Sequence, residues 1–169
     1  MKSRRELIKQ GGLISLSIGL GAVSSSCSVP WTSQTQAGVS PRAVLRYRQD
    51  GTFKIVQFTD IHWQKDGAQD KKTAQLMADL LDAEKPDLVV LTGDTIEGST
   101  MTAREDYTRA YSACTLPIVE RKIPWAAVFG NHDEEGPVNR QDQMKLMQNI
   151  PYCLACPGPK DIDGVSNYY

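Results

Sequence analysis

The 169-residue chain has no long run of basic or acidic residues, and its formal net charge is −1. Surfaces that bind nucleic acid need clustered lysine and arginine. The charge pattern therefore argues against a nucleic-acid surface, but it says nothing against a small phosphorylated substrate. Hydrophobic residues make up 40% of the chain and charged residues 23%, a composition that predicts a folded domain.

The apolar stretch at residues 13–23 is too short to cross a bilayer as a helix, but it has the length of a signal-peptide core. It follows the pair Arg4-Arg5, which resembles a bacterial twin-arginine export signal. We therefore predict a signal peptide over residues 1–26 and an exported protein, either periplasmic or held at the membrane by a lipid on Cys27. The alternative is a disordered or amphipathic tail with two incidental arginines. The Ser/Thr/Gln-rich residues 27–41 read as a linker.

Cysteine is also scarce, with four in the chain. The spacing of Cys153 and Cys156 is that of a zinc half-site or a redox pair, but a second pair is lacking and Pro157 does not favour a helix start. A loop disulfide in an oxidising compartment is an equal alternative. Cys114 lies in a helical pattern, where a buried thiol is the default.

Apolar runs and helical periodicity alternate along residues 42–169. The order strand, helix, strand, helix, strand, helix predicts an α/β layer with a mainly parallel sheet. Pro86 ends the first helical stretch, and Pro117 is expected to interrupt or kink the second. The predicted strands contain the runs Phe53–Phe58, Leu88–Leu91 and Trp125–Phe129.

Potential metal ligands follow each predicted strand. Asp60-Ile61-His62 follows the first, Gly93-Asp94 the second and Gly130-Asn131-His132-Asp133-Glu134 the third. The carboxyl ends of parallel strands meet at one edge of a sheet, where ligands collect. Each motif alone is weak, but the three in this order are specific, and both histidines of the chain fall within them.

Carboxylate, imidazole and amide oxygen suit ions such as Mn, Fe, Zn or Ca. In an extended segment alternate residues point the same way, so Asp60 and His62 can bind one ion together. The two oxygens of Asp94 can bridge two ions. Gly93 and Gly130 would permit close approach of the backbone at the turns.

These motifs resemble those of the calcineurin-like metallophosphoesterases, in particular the branch near the purple acid phosphatases. The resemblance runs from about Phe53 to the end of the chain. It implies the first half of a β sandwich flanked by helices, with β-α-β-α-β order, and two divalent or trivalent metal ions that hydrolyse a phosphate ester. It also implies that Asp60 and His62 bind the first metal ion, Asp94 bridges both, and Asn131 binds the second.

The resemblance further implies that His132 is the general acid at the leaving alkoxide. Asp133 or Glu97 is a candidate to orient its imidazole. Glu97 occupies the place of the tyrosine of the purple enzymes, so a site of the protein-phosphatase type is favoured over a purple iron site.

The family completes its site with further histidines, and none follows Glu134 here. We therefore expect residues 42–169 to be the N-terminal part of a truncated domain. The rival hypothesis is an inactive fragment that binds metal weakly or not at all.

Overall fold

The computed structural model describes residues 44–168. Three short strands alternate with helices: β1 (Ile55–Phe58), α1 (Ala68–Glu84), β2 (Leu88–Leu91), α2 (Arg104–Glu120), β3 (Trp125–Ala127) and α3 (Arg140–Gln148). Short 3-10 turns lie at Gly98–Thr100 and His132–Glu134. The predicted alternation is confirmed, and each strand falls inside the apolar run that predicted it.

The strands form one parallel sheet in the order β1-β2-β3. Ile55 lies opposite Leu88, and Val89 lies opposite Trp125. Because β2 is the central strand, Val89 and Leu91 are fully buried, whereas Ile55 on the β1 edge is 55% exposed. The α/β class and this strand order agree with the expected β-α-β-α-β first half of the domain.

Helices α1 and α2 pack against each other, and α2 also contacts α3. The face of α2 predicted from its periodicity is buried: Tyr107, Ala110, Tyr111 and Cys114 are each at most 2% exposed. The expectation that Pro117 would interrupt this helix is wrong, since α2 continues to Glu120. Pro117 lies in the last turn of α2. Its missing N–H removes one helical hydrogen bond, and few further bonds remain before the helix ends.

Helix α3 has a capped N-terminus. The side chain of Asn139 accepts the N–H of Asp142 at 2.9 Å, as favoured at a helix N-terminus. Inside the domain, the hydroxyl of Tyr111 donates to Gln143 at 2.7 Å, and the amide of Gln143 donates to the carbonyl oxygen of Asp133 at 2.7 Å. This buried network ties α2 and α3 to the turn after β3.

The predicted signal peptide, the lipid-anchor residue Cys27 and the linker lie outside the described residues. Within residues 44–168, no helix is long and apolar enough to cross a membrane.

Candidate metal centre

The segments after the three strands meet at the carboxyl edge of the sheet, as predicted. The backbone pairing of β1 and β2 extends past their ends: Asp60 N–H donates to the carbonyl of Gly93 at 3.2 Å, and His62 N–H to that of Asp94 at 2.9 Å. The third segment joins through the N–H of His132, which donates to Asp94 Oδ1 at 2.8 Å. These contacts place the predicted ligand residues at one edge.

Asp60, His62 and Asp94 form the first candidate group, with one ligand atom of each within 4.8 Å of the others. His62 Nε2 lies 3.9 Å from Asp60 Oδ1. In octahedral coordination with bonds of about 2.1 Å, ligand atoms are about 3.0 Å apart when adjacent and about 4.2 Å apart when opposite. The three donors are therefore close enough together to bind one hard or borderline divalent ion.

The backbone that presents this group is not the extended one expected from sequence. Asp60, His62 and Asp94 have φ values of 53°, 50° and 48°. The left-handed region costs a non-glycine residue roughly 1–2 kcal/mol. Three such residues in one ligand group are the kind of strain that collects at functional sites, because other contacts must hold it in place.

Glu97 holds the ring of His62. Its Oε2 lies 2.9 Å from His62 Nδ1, so the opposite nitrogen, Nε2, is the one on the side of Asp60. Metal-binding histidines usually have such a carboxylate at their second nitrogen. A hydrogen bond from the hydroxyl of Ser99, and then the contact with His62, lower the pKa of Glu97 and keep it ionised. Glu97 was predicted to orient the imidazole of His132, but its hydrogen bond is with His62.

Asp133 occupies a different position from the one predicted. Its side chain is buried, Oδ2 accepts the N–H groups of Asp94 and Gly130 at 2.9 and 2.7 Å, and Oδ1 accepts that of Ile96 at 2.9 Å. Burial raises the pKa of Asp133 against the effect of these three bonds. The carboxylate thus joins the segments after β2 and β3, and the group beside the imidazole of His132 is Glu135.

The imidazole of His132 lies beside that of His62, with ring centroids 5.1 Å apart in an edge-to-face arrangement. Its Nδ1 is 3.0 Å from Glu135 Oε2 but lacks the alignment of a hydrogen bond. The adjacent Glu135 carboxylate raises the pKa of His132. Glu97, His132 and Glu135 form a second group of potential ligands within 4.8 Å of one another.

Sequence reasoning missed Glu135. The motif identified after the third strand ends at Glu134. The carboxylate of Glu134 lies 3.1 Å from Arg140 Nε and thus away from the imidazole of His132. The only available signal was the spacing: in a 3-10 turn, residues three apart lie on the same side, which brings Glu135 over His132.

Asn131, the predicted ligand of the second ion, is exposed and caps the 3-10 turn at His132–Glu134. The backbone N–H of its neighbour His132 donates to Oδ1 of Asp94. The backbone of Asn131 therefore lies next to the first group. Its predicted role remains a prediction.

The close approach of the segments depends on two glycines. A Cβ on Gly93 would lie 2.7 Å from the backbone nitrogen of Gly130, and its φ of 110° also disfavours a side chain. A Cβ on Gly130 would overlap Asp94 Oδ1 and lie 2.6 Å from the backbone nitrogen of Asp94. Both glycines allow the carboxylate of Asp94 to lie against the turn after β3.

The thiol of Cys153 is not activated. Cys153 is partly buried beside β3, pairing with Trp125 through a parallel bridge. Burial raises the pKa of its thiol to about 11, so it is protonated near neutral pH. A role for Cys153 as a nucleophilic redox thiol is therefore disfavoured.

Comparison with known proteins agrees with this geometry. The chain is 33% identical over 174 residues to probable inactive purple acid phosphatase 29 of Arabidopsis thaliana, covering 92% of the chain and 42% of the relative. It is 37% identical over 141 residues to phosphatase DCR2 of Saccharomyces cerevisiae, covering 73% of the chain and 24% of the relative. The chain thus spans less than half the length of these curated relatives.

The family comparison covers the whole described site. Residues 53–165 match the calcineurin-like phosphoesterase family, and this range includes every strand and every candidate ligand. The chain belongs to the calcineurin-like phosphoesterase family.

Proposed function

We propose that this chain carries part of the catalytic centre of an exported enzyme that hydrolyses phosphate esters with two metal ions. The observation that carries the proposal is the convergence of Asp60, His62 and Asp94, with ligand atoms within 4.8 Å of one another. Carboxylate and imidazole donors suit Mn, Fe or Zn, and Ca where oxygen ligands dominate. The first ion is assigned to these residues, and the second to Asp94 with Asn131 and further ligands.

When bound, such ions supply a water of lowered pKa as nucleophile and neutralise charge on the phosphoryl oxygens. The protein residues supply position and a proton. Glu97 orients His62, the amide-binding carboxylate of Asp133 fixes the backbone of Asp94, and His132 donates a proton to the leaving alkoxide oxygen. The adjacent Glu135 favours the protonated imidazole that this step needs.

A non-catalytic, metal-binding role is the second candidate. It is favoured by the Arabidopsis thaliana relatives, which are described as probable inactive purple acid phosphatases 29 and 28. The same residues would then bind metal without turnover.

One experiment separates the two candidates. The 169-residue chain is loaded with Mn²⁺, its metal content is measured, and hydrolysis of p-nitrophenyl phosphate is followed. Mn²⁺-dependent hydrolysis that disappears in Asp94→Asn supports the enzyme, whereas bound Mn²⁺ without hydrolysis means that these residues by themselves bind metal without turnover. Hydrolysis that persists in Asp94→Asn would contradict the assignment of the site.

Export through the twin-arginine route is the second part of the proposal, supported by Arg4-Arg5 and the apolar stretch after it. A folded-protein route suits a protein that binds its metal before export. Lysine at both positions should leave the precursor in the cytoplasm. Mature protein outside the cytoplasm at the wild-type level would refute this route.

A further inference from the structure

The turn that carries His132 is held from both sides by side chains at the start of α3. Arg140 donates through a terminal guanidinium nitrogen to the carbonyl oxygen of Gly130 at 3.0 Å. Gln143 donates through Nε2 to the carbonyl oxygen of Asp133 at 2.7 Å. Because Gly130 precedes His132 by two residues and Asp133 directly follows it, the two donors bracket the residue that carries the imidazole.

Both hydrogens and the oxygen of the Gln143 amide have partners. The side chain is fully buried, Nε2 also donates to the carbonyl oxygen of Val138 at 2.7 Å, and Oε1 accepts the hydroxyl of Tyr111 at 2.7 Å. An amide has two donor hydrogens and one acceptor oxygen, so the opposite orientation would turn Oε1 toward two carbonyl oxygens. The contact with Tyr111 therefore keeps both N–H groups of Gln143 directed at the backbone after β3.

The two carbonyl groups that accept from Gln143 enclose a short loop, residues 134–137. Every residue of this loop is exposed or half-buried, so burial in the core contributes little to holding it. The hydroxyl of Tyr107 also donates to the carbonyl oxygen of Asp133, but at 3.3 Å, which is longer than the contact with Gln143. Without the Gln143 amide, the carbonyl of Asp133 would keep the weaker donor alone, and an unsatisfied buried acceptor favours movement of the backbone.

Movement of this turn would displace the imidazole of His132 from the first ligand group. Its ring lies beside that of His62, with centroids 5.1 Å apart, and its backbone N–H donates to Asp94 Oδ1 at 2.8 Å. Both contacts depend on where the backbone of the turn lies. A displacement of about 1 Å, caused by a change far from the reacting atoms, can cost about 10²-fold in rate.

We propose that Gln143 is a positioning residue for the proton donor His132, with Arg140 as a second support on the other side of the turn. This inference rests on the proposed function and deepens it. Helix α3 contributes no residue to either ligand group found within residues 44–168, yet it sets where the imidazole lies beside the first group. Gln143 acts through the carbonyl oxygen of Asp133 and does not touch the reacting atoms.

The contact between the two imidazoles reports the position of His132 without any need for turnover. The chain has two histidines, so the ring protons of the metal-free 169-residue chain give two sets of signals, and a nuclear Overhauser effect between them reports how close the rings are. The variant is Gln143→Met, which removes the amide and keeps a long unbranched side chain. The control is Thr115→Val, which removes a different buried hydrogen bond, from the Thr115 hydroxyl to the carbonyl oxygen of Tyr111 within α2.

Arg140→Met provides a second test at a half-buried side chain, where the exchange leaves the core intact. Its control is Lys145→Met, which removes the same charge from the same helix at an exposed position that pairs with Asp142. Circular dichroism at the temperature of the measurement verifies that each variant is folded. If Gln143→Met does not fold, the comparison of Arg140→Met with Lys145→Met decides the question in the same way.

We expect the Overhauser effect between His62 and His132 to weaken in Gln143→Met and to keep its wild-type strength in Thr115→Val. Where the wild type hydrolyses p-nitrophenyl phosphate with Mn²⁺, kcat of Gln143→Met should fall on the order of 10²-fold relative to Thr115→Val. KM should change much less, because the lost contact acts on proton transfer and not on substrate binding. A merely structural role would not produce this difference between kcat and KM.

An Overhauser effect in Gln143→Met as strong as that in Thr115→Val would overturn the inference. Equal kcat values in these two variants of an active enzyme would overturn it as well. A wild type without hydrolysis refutes the proposed activity, whereas the ring contact still decides whether Gln143 holds His132 in place. In that case a weakened Overhauser effect in Gln143→Met supports the positioning role, and an unchanged one refutes it.

Discussion

The backbone N–H of Asp94 donates to Oδ2 of Asp133 at 2.9 Å, and the same oxygen accepts the N–H of Gly130 at 2.7 Å. One buried carboxylate therefore fixes the backbone of a candidate metal ligand and closes the turn after β3 upon it. Asp94 in turn uses its own side chain to accept the N–H of His132. The two aspartates thus have different roles: Asp133 binds backbone N–H groups, whereas Asp94 belongs to the candidate ligand group.

Exchanging these two aspartates for asparagine should separate stability from metal binding. Asp133→Asn places an NH₂ group against backbone donors, and an unsatisfied buried group costs about 1–3 kcal/mol, so the free energy of unfolding should fall by that amount. Asp94→Asn keeps an oxygen for His132 but loses the charge that binds metal, so Mn²⁺ binding should fall while the free energy of unfolding changes little.

Urea unfolding and Mn²⁺ titration of both variants measure the two quantities. Asp161→Asn, at an exposed position, is the control for loss of a surface charge. The assignment fails if Asp133→Asn unfolds at the same urea concentration as Asp161→Asn, or if Asp94→Asn binds Mn²⁺ as tightly as the wild type.

Much of the fold follows from simple patterns in the sequence. The continuous apolar run Leu88–Leu91 predicts a buried central strand, and Pro86 marks the end of α1, which the structure places at Glu84. The order of the strands then brings Asp60 and Asp94 to one edge. Parallel pairing requires no knowledge of individual contacts, so this part of the site was predictable.

The finer geometry was not predictable, for physical reasons. The left-handed backbone of Asp60 and His62 is imposed by backbone bonds to Gly93 and Asp94, which are distant in sequence. The position of Asp133 depends on whether its side chain turns inward or outward within a turn of three residues. Local backbone preference determines neither the left-handed backbone of Asp60 and His62 nor the direction of the Asp133 side chain, because tertiary contacts outweigh it.

Glu97→Gln should weaken Mn²⁺ binding at Asp60, His62 and Asp94. The variant replaces the carboxylate at His62 Nδ1 by a neutral amide, which holds the ring less firmly and makes Nε2 a weaker ligand. Loss of such a partner typically costs about 10–100-fold in metal affinity. The measurement is the Mn²⁺ affinity of the tightest site by titration.

Glu105→Gln is the matched control, because Glu105 is exposed on the first turn of α2. Its Mn²⁺ affinity should equal that of the wild type. An affinity in Glu97→Gln within about twofold of this control would show that the contact with His62 does not tune a metal ligand.

Gly130→Ala should reduce both stability and metal binding. The added methyl group would overlap the side chain of Asp94 and crowd its backbone nitrogen, so the carboxylate must move. Overpacking of this kind costs about 1–3 kcal/mol. Urea unfolding and Mn²⁺ titration measure the two effects.

Gly51→Ala provides the comparison, since a Cβ there meets no atom within 4 Å and adds only the strain of a φ of 79°. It should lower the free energy of unfolding by about 1–2 kcal/mol without affecting Mn²⁺ binding. If Gly130→Ala binds Mn²⁺ as tightly as Gly51→Ala does, the close approach to Asp94 is unimportant for the site.

Asp106 should give the protein a stability that is lost in acid. Its Oδ2 accepts the hydroxyl of Thr102 at 2.7 Å and two backbone N–H groups at the start of α2, and Oδ1 contacts Arg109. The hydrogen bond from the Thr102 hydroxyl, followed by the backbone N–H of Thr102, holds the pKa of Asp106 well below its usual range. The carboxylate of Asp106 therefore binds a proton more weakly in the folded state than in the unfolded state.

The direction of the pH dependence follows from that difference. A folded-state pKa below the unfolded value means that the contribution is fully present above the unfolded pKa of about 4 and is lost as the pH falls below it. Asp106→Asn should lower the midpoint of thermal unfolding at pH 7, and the difference from the wild type should shrink between pH 5 and pH 3. Because Asp161 makes no comparable contacts, Asp161→Asn should show no such trend. A difference that stays constant over this range would mean that the bonds of Asp106 do not depend on its charge.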